Sequence, residues 1–395
     1  MKSRCRAVLL LFTAVLFAAD TLKVAESAFD ELTRQDFAAL ARRFSAQMKA
    51  AAPPEKFAAQ VGPAIAKLGA LRTAKPQPRR SQSQGNDVFT FPAEFENGKL
   101  NVAIVVNAAG ELAGLWFQPP DPEPPKPSGL AVVTGDIQLP ATLTLPEGAG
   151  PFPVVVLVHG SGPHDADETV AANAPFRLLA EGLLKRGVAT LRYVKRTKQY
   201  PQSPIATVEQ EVIEDALAAL SLARRQGRIN PTRSFLLGHS LGGYLAPRIA
   251  LRDPALAGVI LLAGNARPME ELAREQLQYL GAPLETLEKL KAAAPASYWE
   301  DLRKYDPVAA AVKVPTPILV LQGERDYQVT MKDFELWKAG LKGRAKVTFK
   351  SYPKLNHLFL EGEGKSLPAE YSKPGRIPDY VLDDIADFVK SAGSR

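Results

Sequence analysis

The chain has 395 residues, a formal charge of +7 at neutral pH, 46% hydrophobic residues and 23% charged ones. This gives room for a large domain with a sizeable core plus a smaller one, and excludes a disordered or fibrous chain. The positive excess is not a nucleic-acid footprint. Lys2, Arg4 and Arg6 crowd the N-terminus, and elsewhere basic and acidic residues are interleaved, apart from short clusters such as Arg79-Arg80 and Lys195-Arg196 that read as solvated surface.

In chain order, "MKSRCRAVLLLFTAVLFAAD" joins a basic start to an apolar run from Ala7 to Ala19 and ends in small residues. That is the anatomy of a secretory signal, too short to span a bilayer comfortably. Residues 1–25 are assigned to it, with cleavage sites after Ala19 or Ala25. The only cysteine, Cys5, lies before the apolar run, so a mature chain would form no disulfide and no cysteine–metal site. The expected location is periplasmic or extracellular, with no stable membrane insertion after signal cleavage.

Residues 26–118 read as a small α+β domain. Phe29, Leu32, Phe37, Leu40, Phe44 and Met48 recur at helical spacing, a polar basic stretch follows around 74–86, and "DVFTFPAEF", "KLNVAIVVN" and "ELAGLWFQP" read as strands. With no histidine and no plausible catalytic cluster, this domain is accessory. The proline-dense segment 119–128 is a linker of extended, semi-rigid character.

From residue 129 the pattern alternates. "LAVVTG", "ATLTLP", "PVVVLVHG", "GVATLRY", "SFLLG", "AGVILLAG", "PILVLQG" and "KVTFKSY" are strand candidates, with helical patterns at 171–186, 206–226, 241–252, 331–342 and 378–392. The spacing predicts a mostly parallel eight-stranded sheet covered on both faces, an α/β architecture. Residues 265–314, rich in Leu, Glu, Lys and Ala, read as two or three helices outside the sheet.

The chemistry concentrates at the carboxyl ends of these strands. Gly238-His239-Ser240-Leu241-Gly242 is a G-x-S-x-G pattern between a strand and a helix, where the glycines let the backbone turn sharply under an exposed serine. Ser240 is the candidate nucleophile. Of the four histidines (His159, His164, His239, His357), only His357 follows Ser240, so it is the candidate base. Asp326, just after "PILVLQG", is favoured as the carboxylate that orients it, over Glu324 on the same loop and Asp333 in the next helix. The candidate oxyanion donors are the backbone amides of Leu241 and of Ser161, the latter in "HGSGPHDADET". His159 and His164 are expected to shape that loop. Asp165, Asp167 and Glu168 read as loop and helix-capping acids rather than metal ligands, and no cofactor or metal is expected.

With those motifs in place, residues 129–395 resemble the α/β-hydrolase superfamily. The likeness is closest to secreted bacterial serine hydrolases related to dienelactone hydrolases and serine aminopeptidase-like enzymes. The words that carry it are "LPATLTLP", "VVVLVHGSGPHDADET", "LLGHSLGG", "LVLQGERDYQV" and "LNHLFLEGEG…PAEY…PG". The resemblance implies Ser240 as nucleophile, Asp326 as acid, His357 as base, the Ser161 and Leu241 amides as oxyanion hole, and a helical lid at 265–314. In "LRYVKRT" the chain departs from the pattern, with Val194 where relatives commonly carry aspartate. The N-terminal segment resembles a small domain of unknown function found ahead of such hydrolases.

The leading expectation is an exported hydrolase of carboxylic esters working through an acyl-enzyme. A peptidase or amidase using the same residues is the rival, in which lid acids such as Glu270, Glu271 and Glu275 would bind an amino terminus. A non-catalytic binding protein on the same scaffold is the third. The expected partner is a small-molecule ester or a short peptide, and not a nucleic acid. The lid leucines Leu272, Leu277, Leu280, Leu284 and Leu287 would either line a pocket or pack on the domain.

Overall fold

A computed structural model describes residues 18–72, 76, 78–83, 85–120, 129–201, 205–292 and 294–392. The first seventeen residues, with most of the apolar leader, and residues 121–128 of the proline-rich segment lie outside it. The chain divides into two compact units, Met1–Glu123 and Pro124–Arg395.

In the first unit, strands β1 (Arg79–Ser83), β2 (Asn86–Phe95), β3 (Gly98–Val106) and β4 (Leu112–Gln118) form an antiparallel sheet in sequential order. Alternation in β2 turns Phe89, Phe91 and Phe95 to one face, and the register sets Phe89 against Ile104 and Phe91 against Val102. The helix Ala18–Thr33 contributes Ala25, Ala28, Phe29 and Leu32 to the same core, and Phe29 stacks on Phe91 with ring centroids 4.5 Å apart. The helical spacing from Phe29 to Met48 is spread over three helices: Ala18–Thr33, Phe37–Arg42 and Ala46–Ala51. Asp36 and Ser45 cap the second and third through the amides of Ala39 and Met48, so the period continues while the backbone breaks. β1 falls in the polar stretch 74–86, where a sheet-edge strand needs no apolar alternation.

The second unit holds β5 (Ala131–Thr134), β6 (Ile137–Thr144), β7 (Phe152–Val158), β8 (Ala189–Tyr193), β9 (Ile229–His239), β10 (Gly258–Leu262), β11 (Ile318–Gly323) and β12 (Val347–Tyr352). Their order across the sheet is β12-β11-β10-β9-β7-β8-β6-β5, with β7 to β12 parallel and β5 and β6 antiparallel. The central strands are buried on both faces, which explains their unbroken apolar runs. Helices Pro175–Leu184 and Asp379–Ala392 pack on one face through residues such as Leu179, Val381 and Ile385. Helices Glu214–Arg224, Leu241–Arg252 and Met331–Gly340 cover the other through Leu220, Tyr244, Leu245 and Trp337.

The insertion at 265–314 carries four helices, Met269–Leu280, Glu285–Ala292, Ala296–Lys304 and Pro307–Lys313. The fourth is capped by Asp306, buries Ala311 completely and packs against Leu241–Arg252, as part of the layer on the sheet. The Lys195-Arg196 pair corrects the sequence reading: neither is solvated surface. Lys195 is 2% exposed, and Arg196 forms a buried ion pair with Asp215 at 2.6 Å. A basic doublet at a strand end carries no hydropathy signal of the carboxylates that its fold-neighbours supply.

Phe91→Ala removes a stacked ring from the centre of the first unit. It is expected to destabilise that unit by roughly 3–5 kcal/mol, read as an earlier midpoint of its transition in urea.

Candidate active site

β9 ends at His239, and the helix Leu241–Arg252 begins one residue after Ser240. Ser240 itself has φ 53° and ψ −116°, a conformation that costs a side-chain-bearing residue about 1–3 kcal/mol. Tight packing holds it there. A Cβ on Gly238 would lie 2.1 Å from the Gly242 carbonyl oxygen, and one on Gly242 would lie 2.2 Å from that of Val158. Only glycine lets helix, β9 and β7 approach this closely. The Ser240 amide donates to the Leu262 carbonyl at 3.0 Å, which fastens the turn to β10.

Asp326 follows β11 and His357 follows β12, and the structure brings them together: His357 Nδ1 donates to Asp326 Oδ2 at 2.7 Å. With Nδ1 holding its proton, Nε2 of the neutral ring is left as the basic nitrogen. Asp326 is buried and further held by the amides of Gln328 (2.7 Å) and Val329 (3.0 Å) on Oδ1 and by Gln322 Nε2 (3.2 Å) on Oδ2. Neither rival carboxylate is placed to orient His357. Glu324 is exposed and accepts from Ser351, whereas Asp333 is buried against Arg267 and the amides of Ala266 and Arg267.

The loop after β7 supplies the third wall. Ser161 lines the same cavity as Ser240, Leu241 and His357, and Leu241 opens its helix with its amide at the N-terminus. His159 and His164 brace this loop through Nε2 contacts to the carbonyls of Asp165 (2.9 Å) and Ser161 (2.7 Å). Burial pushes His159 down to about 3, so its ring is neutral. Asp165 accepts from the amides of Asp167 and Thr169, and Asp167 pairs with Arg192.

Glu168 has a part that the sequence reading missed. It is 1% exposed, and its Oε1 accepts from the Gly160 amide at 2.6 Å. Its Oε2 lies 2.8 Å from Nδ1 of His239, whose Nε2 donates to the His357 carbonyl at 3.0 Å. Burial opposes charge on both groups. The His239 charge nevertheless holds the Glu168 carboxyl down to about 2, while Glu168 and the His357 carbonyl raise His239 above its ordinary value. This ion pair joins the β7 loop, the serine turn and the β12 loop beneath the cavity. Its one sequence signal was a histidine and an acid in adjacent motifs.

The cavity, about 370 Å³, is roofed by Met269, Leu272, Ala273 and Gln276 of the first insertion helix, by Leu290, and by Tyr298, Trp299 and Leu302 of the third. Of the lid leucines considered from sequence, Leu272 lines it, Leu277 and Leu287 are buried in packing, and Leu280 and Leu284 are exposed.

A serine held in this strained turn, over parallel strands whose next loops bring an imidazole and a carboxylate into contact, defines the class: the serine hydrolases. Comparison with known proteins agrees. Residues 196–388 match the prolyl oligopeptidase family, and residues 25–115 match a protein family of unknown function, DUF3887. Esterase EstD of Thermotoga maritima is 41% identical over 331 residues, covering 77% of this chain and 79% of EstD. The acylamino-acid-releasing enzyme of Rattus norvegicus is 25% identical over 231 residues, 54% of this chain and 30% of that one. Among solved structures, Est1E from Butyrivibrio proteoclasticus superposes with a TM-score of 0.47 at 19% identity, over 67% of this chain and 98% of its own. The chain belongs to the α/β-hydrolases, in one family with EstD.

The Glu168–His239 pair has a pH signature. Glu168 titrates below its ordinary 4.5, so its stabilisation is present above that pH and lost as the pH falls toward 2. His239 titrates above its ordinary 6.5, so its stabilisation is present below 6.5 and lost as the pH rises through the folded value. The difference in thermal midpoint between the wild type and Glu168→Gln is therefore expected to be largest between pH 4.5 and 6.5. A difference that stays flat from acid to alkaline pH would show that the pair stabilises nothing through its charge.

Proposed function

We propose that this protein is an exported carboxylic-ester hydrolase using Ser240, His357 and Asp326. His357 Nε2 takes the Ser240 hydroxyl proton as Oγ bonds to the acyl carbon, and the amides of Ser161 and Leu241 hold the oxyanion. Asp326 keeps the proton on Nδ1 and balances the imidazolium charge. The imidazolium gives its proton to the leaving alkoxide as the carbon–oxygen bond breaks, leaving an acyl-serine. Water then repeats the sequence: His357 takes its proton, hydroxide adds to the acyl carbon, and the proton returns to Ser240 Oγ as the acid leaves.

The observation that carries the ester reading is the character of the cavity. Its walls are apolar apart from the site itself, the glutamines Gln276 and Gln328, and Tyr298. The acids that a peptidase would use for a substrate amino terminus are committed elsewhere. Glu271 pairs with Arg267 and Lys332, Glu275 with Arg267, and Glu270 with Lys291 and Arg303. A neutral ester leaves no buried charge unpaired in such a pocket, whereas a charged peptide terminus would. The similarity to EstD, an esterase by name, points the same way. The match to the prolyl oligopeptidase family keeps the amidase reading as the alternative.

Export rests on the basic, apolar leader, and the folded unit favours one of its two cleavage sites. Thr21 donates to Asp87 at 2.8 Å and Ala25 is fully buried, so cleavage after Ala25 would remove packed turns of the helix Ala18–Thr33. Cleavage after Ala19 spares them. Among the described residues no helix is long and apolar enough to cross a membrane. The first unit we read as an accessory domain and the proline-rich segment as its linker.

Purified enzyme is expected to hydrolyse p-nitrophenyl esters and leave aminoacyl anilides intact. Ser240→Ala should lose at least about a thousandfold in kcat, and Asp326→Asn about ten thousandfold through the wrong imidazole tautomer. Ester turnover that survives in Ser240→Ala would sink the mechanism, and anilide turnover of equal efficiency would establish the amidase. N-terminal sequencing of exported protein should read from Asp20; a start at Glu26 would overturn the choice of cleavage site.

A further inference from the structure

We infer that Lys195 is a positioning residue for oxyanion binding, holding and polarising the peptide group that presents the Ser161 amide. The inference rests on the Ser240 mechanism proposed above. Lys195 stands two residues past β8 and is 2% exposed. Its Nζ donates to the Gly160 carbonyl at 2.8 Å and lies 2.8 Å from Oε1 of Glu211. Glu211 is itself buried, in the single π-helical turn Glu209–Ile213, and its Oε2 accepts from the Tyr298 hydroxyl at 2.6 Å. Burial works against the Glu211 charge, yet Lys195 and Tyr298 keep its carboxyl below the ordinary value.

The Gly160 carbonyl and the Ser161 N–H belong to one planar peptide group. A cation bonded to the carbonyl oxygen draws electron density from the nitrogen, which makes the N–H a stronger donor, and a low-dielectric site amplifies the effect. The group is also fixed in direction. Glu168 holds the amide of Gly160 on one side, His164 contacts the Ser161 carbonyl on the other, and Lys195 fastens the carbonyl between them. This peptide adjoins the serine: a Cβ placed on Gly160 would lie 3.1 Å from Ser240 Cβ. Among the described residues the Ser161 N–H has no protein acceptor, so it is free for the oxyanion.

A purely structural lysine would support folding and leave the chemistry of folded molecules unchanged. A positioning lysine makes its contribution when negative charge appears on the substrate oxygen, and so acts on kcat. It would equally strengthen a bound analogue that carries that charge.

The test compares wild type, Lys195→Met and the charge-neutral double variant Lys195→Met/Glu211→Gln, which leaves no buried carboxylate unpaired if the single variant folds poorly. The readouts are kcat and KM for a p-nitrophenyl ester, affinity for a trifluoromethyl ketone that adds to the serine as an oxyanion, and affinity for the matching trifluoromethyl carbinol, which cannot add. The expected result is a loss of about ten- to a hundredfold in kcat, smaller than for deleting a donor outright. KM should stay within about twofold, ketone affinity should fall by the same factor as kcat, and the carbinol should bind unchanged. Retention of kcat and ketone affinity in the folded double variant, or a loss confined to KM or shared equally by the carbinol, would overturn the inference. Ser240→Ala runs beside them. Wild-type turnover that persists in it refutes the underlying mechanism, whereas Ser240-dependent turnover indifferent to Lys195 refutes the present inference alone.

Discussion

The second unit is organised around one close approach, that of the Leu241–Arg252 helix N-terminus to the ends of β7 and β9. No side chain fits at Gly238 or Gly242, because each Cβ would penetrate a neighbouring backbone. Contact at that distance goes with a positive φ at Ser240, which lines the cavity. It also aims the positive end of the helix at the same point, so a strained residue and a favourable field come from a single packing event. The rest of the sheet serves to hold this junction still. β7, β9 and β10 bury their side chains on both faces, and the Ser240 amide is tied to the last residue of β10.

Around that junction the loops are fixed by buried charge. Glu168 and His239 connect the β7 loop to the serine turn and the β12 loop, while Lys195 and Glu211 connect the β7 loop to the π turn and, through Tyr298, to the insertion. Such pairs add little net stability, because desolvating two ions offsets most of their attraction. What they supply is direction: a buried group held between a charged partner at 2.8 Å and a backbone group has few orientations open to it. Apolar packing alone could hold these loops as firmly without deciding which way a peptide carbonyl points.

Sequence and structure part company along the same line. The parallel sheet, the helices on its two faces and the chain order of Ser240, Asp326 and His357 were legible because each leaves a local mark: an apolar run, a 3.6-residue period, a glycine pattern, a histidine with no competitor downstream. The choice of Asp326 over Asp333 needed only that Asp333 falls inside a helix, where it now binds Arg267. The buried lysine and glutamates left no such mark. Lys195 is sixteen residues from Glu211 and thirty-five from Gly160, and in sequence a lysine beside an arginine reads as surface. The single helical period of residues 29–48 likewise hid two chain breaks, since a cap can interrupt the backbone without interrupting the apolar stripe.

The insertion then determines what the site admits. Its glutamates Glu270, Glu271 and Glu275 are paired with Arg267, Lys291, Arg303 and Lys332, and Met269, Leu272, Leu290, Trp299 and Leu302 line the cavity. A pocket so lined selects by shape and by the absence of charge. An unpaired carboxylate or ammonium entering it would lose its water and gain no partner, a penalty of several kcal/mol that an ester avoids. Gln276 and Tyr298 are the polar exceptions in that wall, and the Tyr298 hydroxyl is already committed to Glu211. The roof of the pocket and the Gly160–Ser161 peptide are therefore anchored to the same carboxylate, so displacement of the third insertion helix would be felt at Lys195 and, through Gly160, at the Ser161 amide.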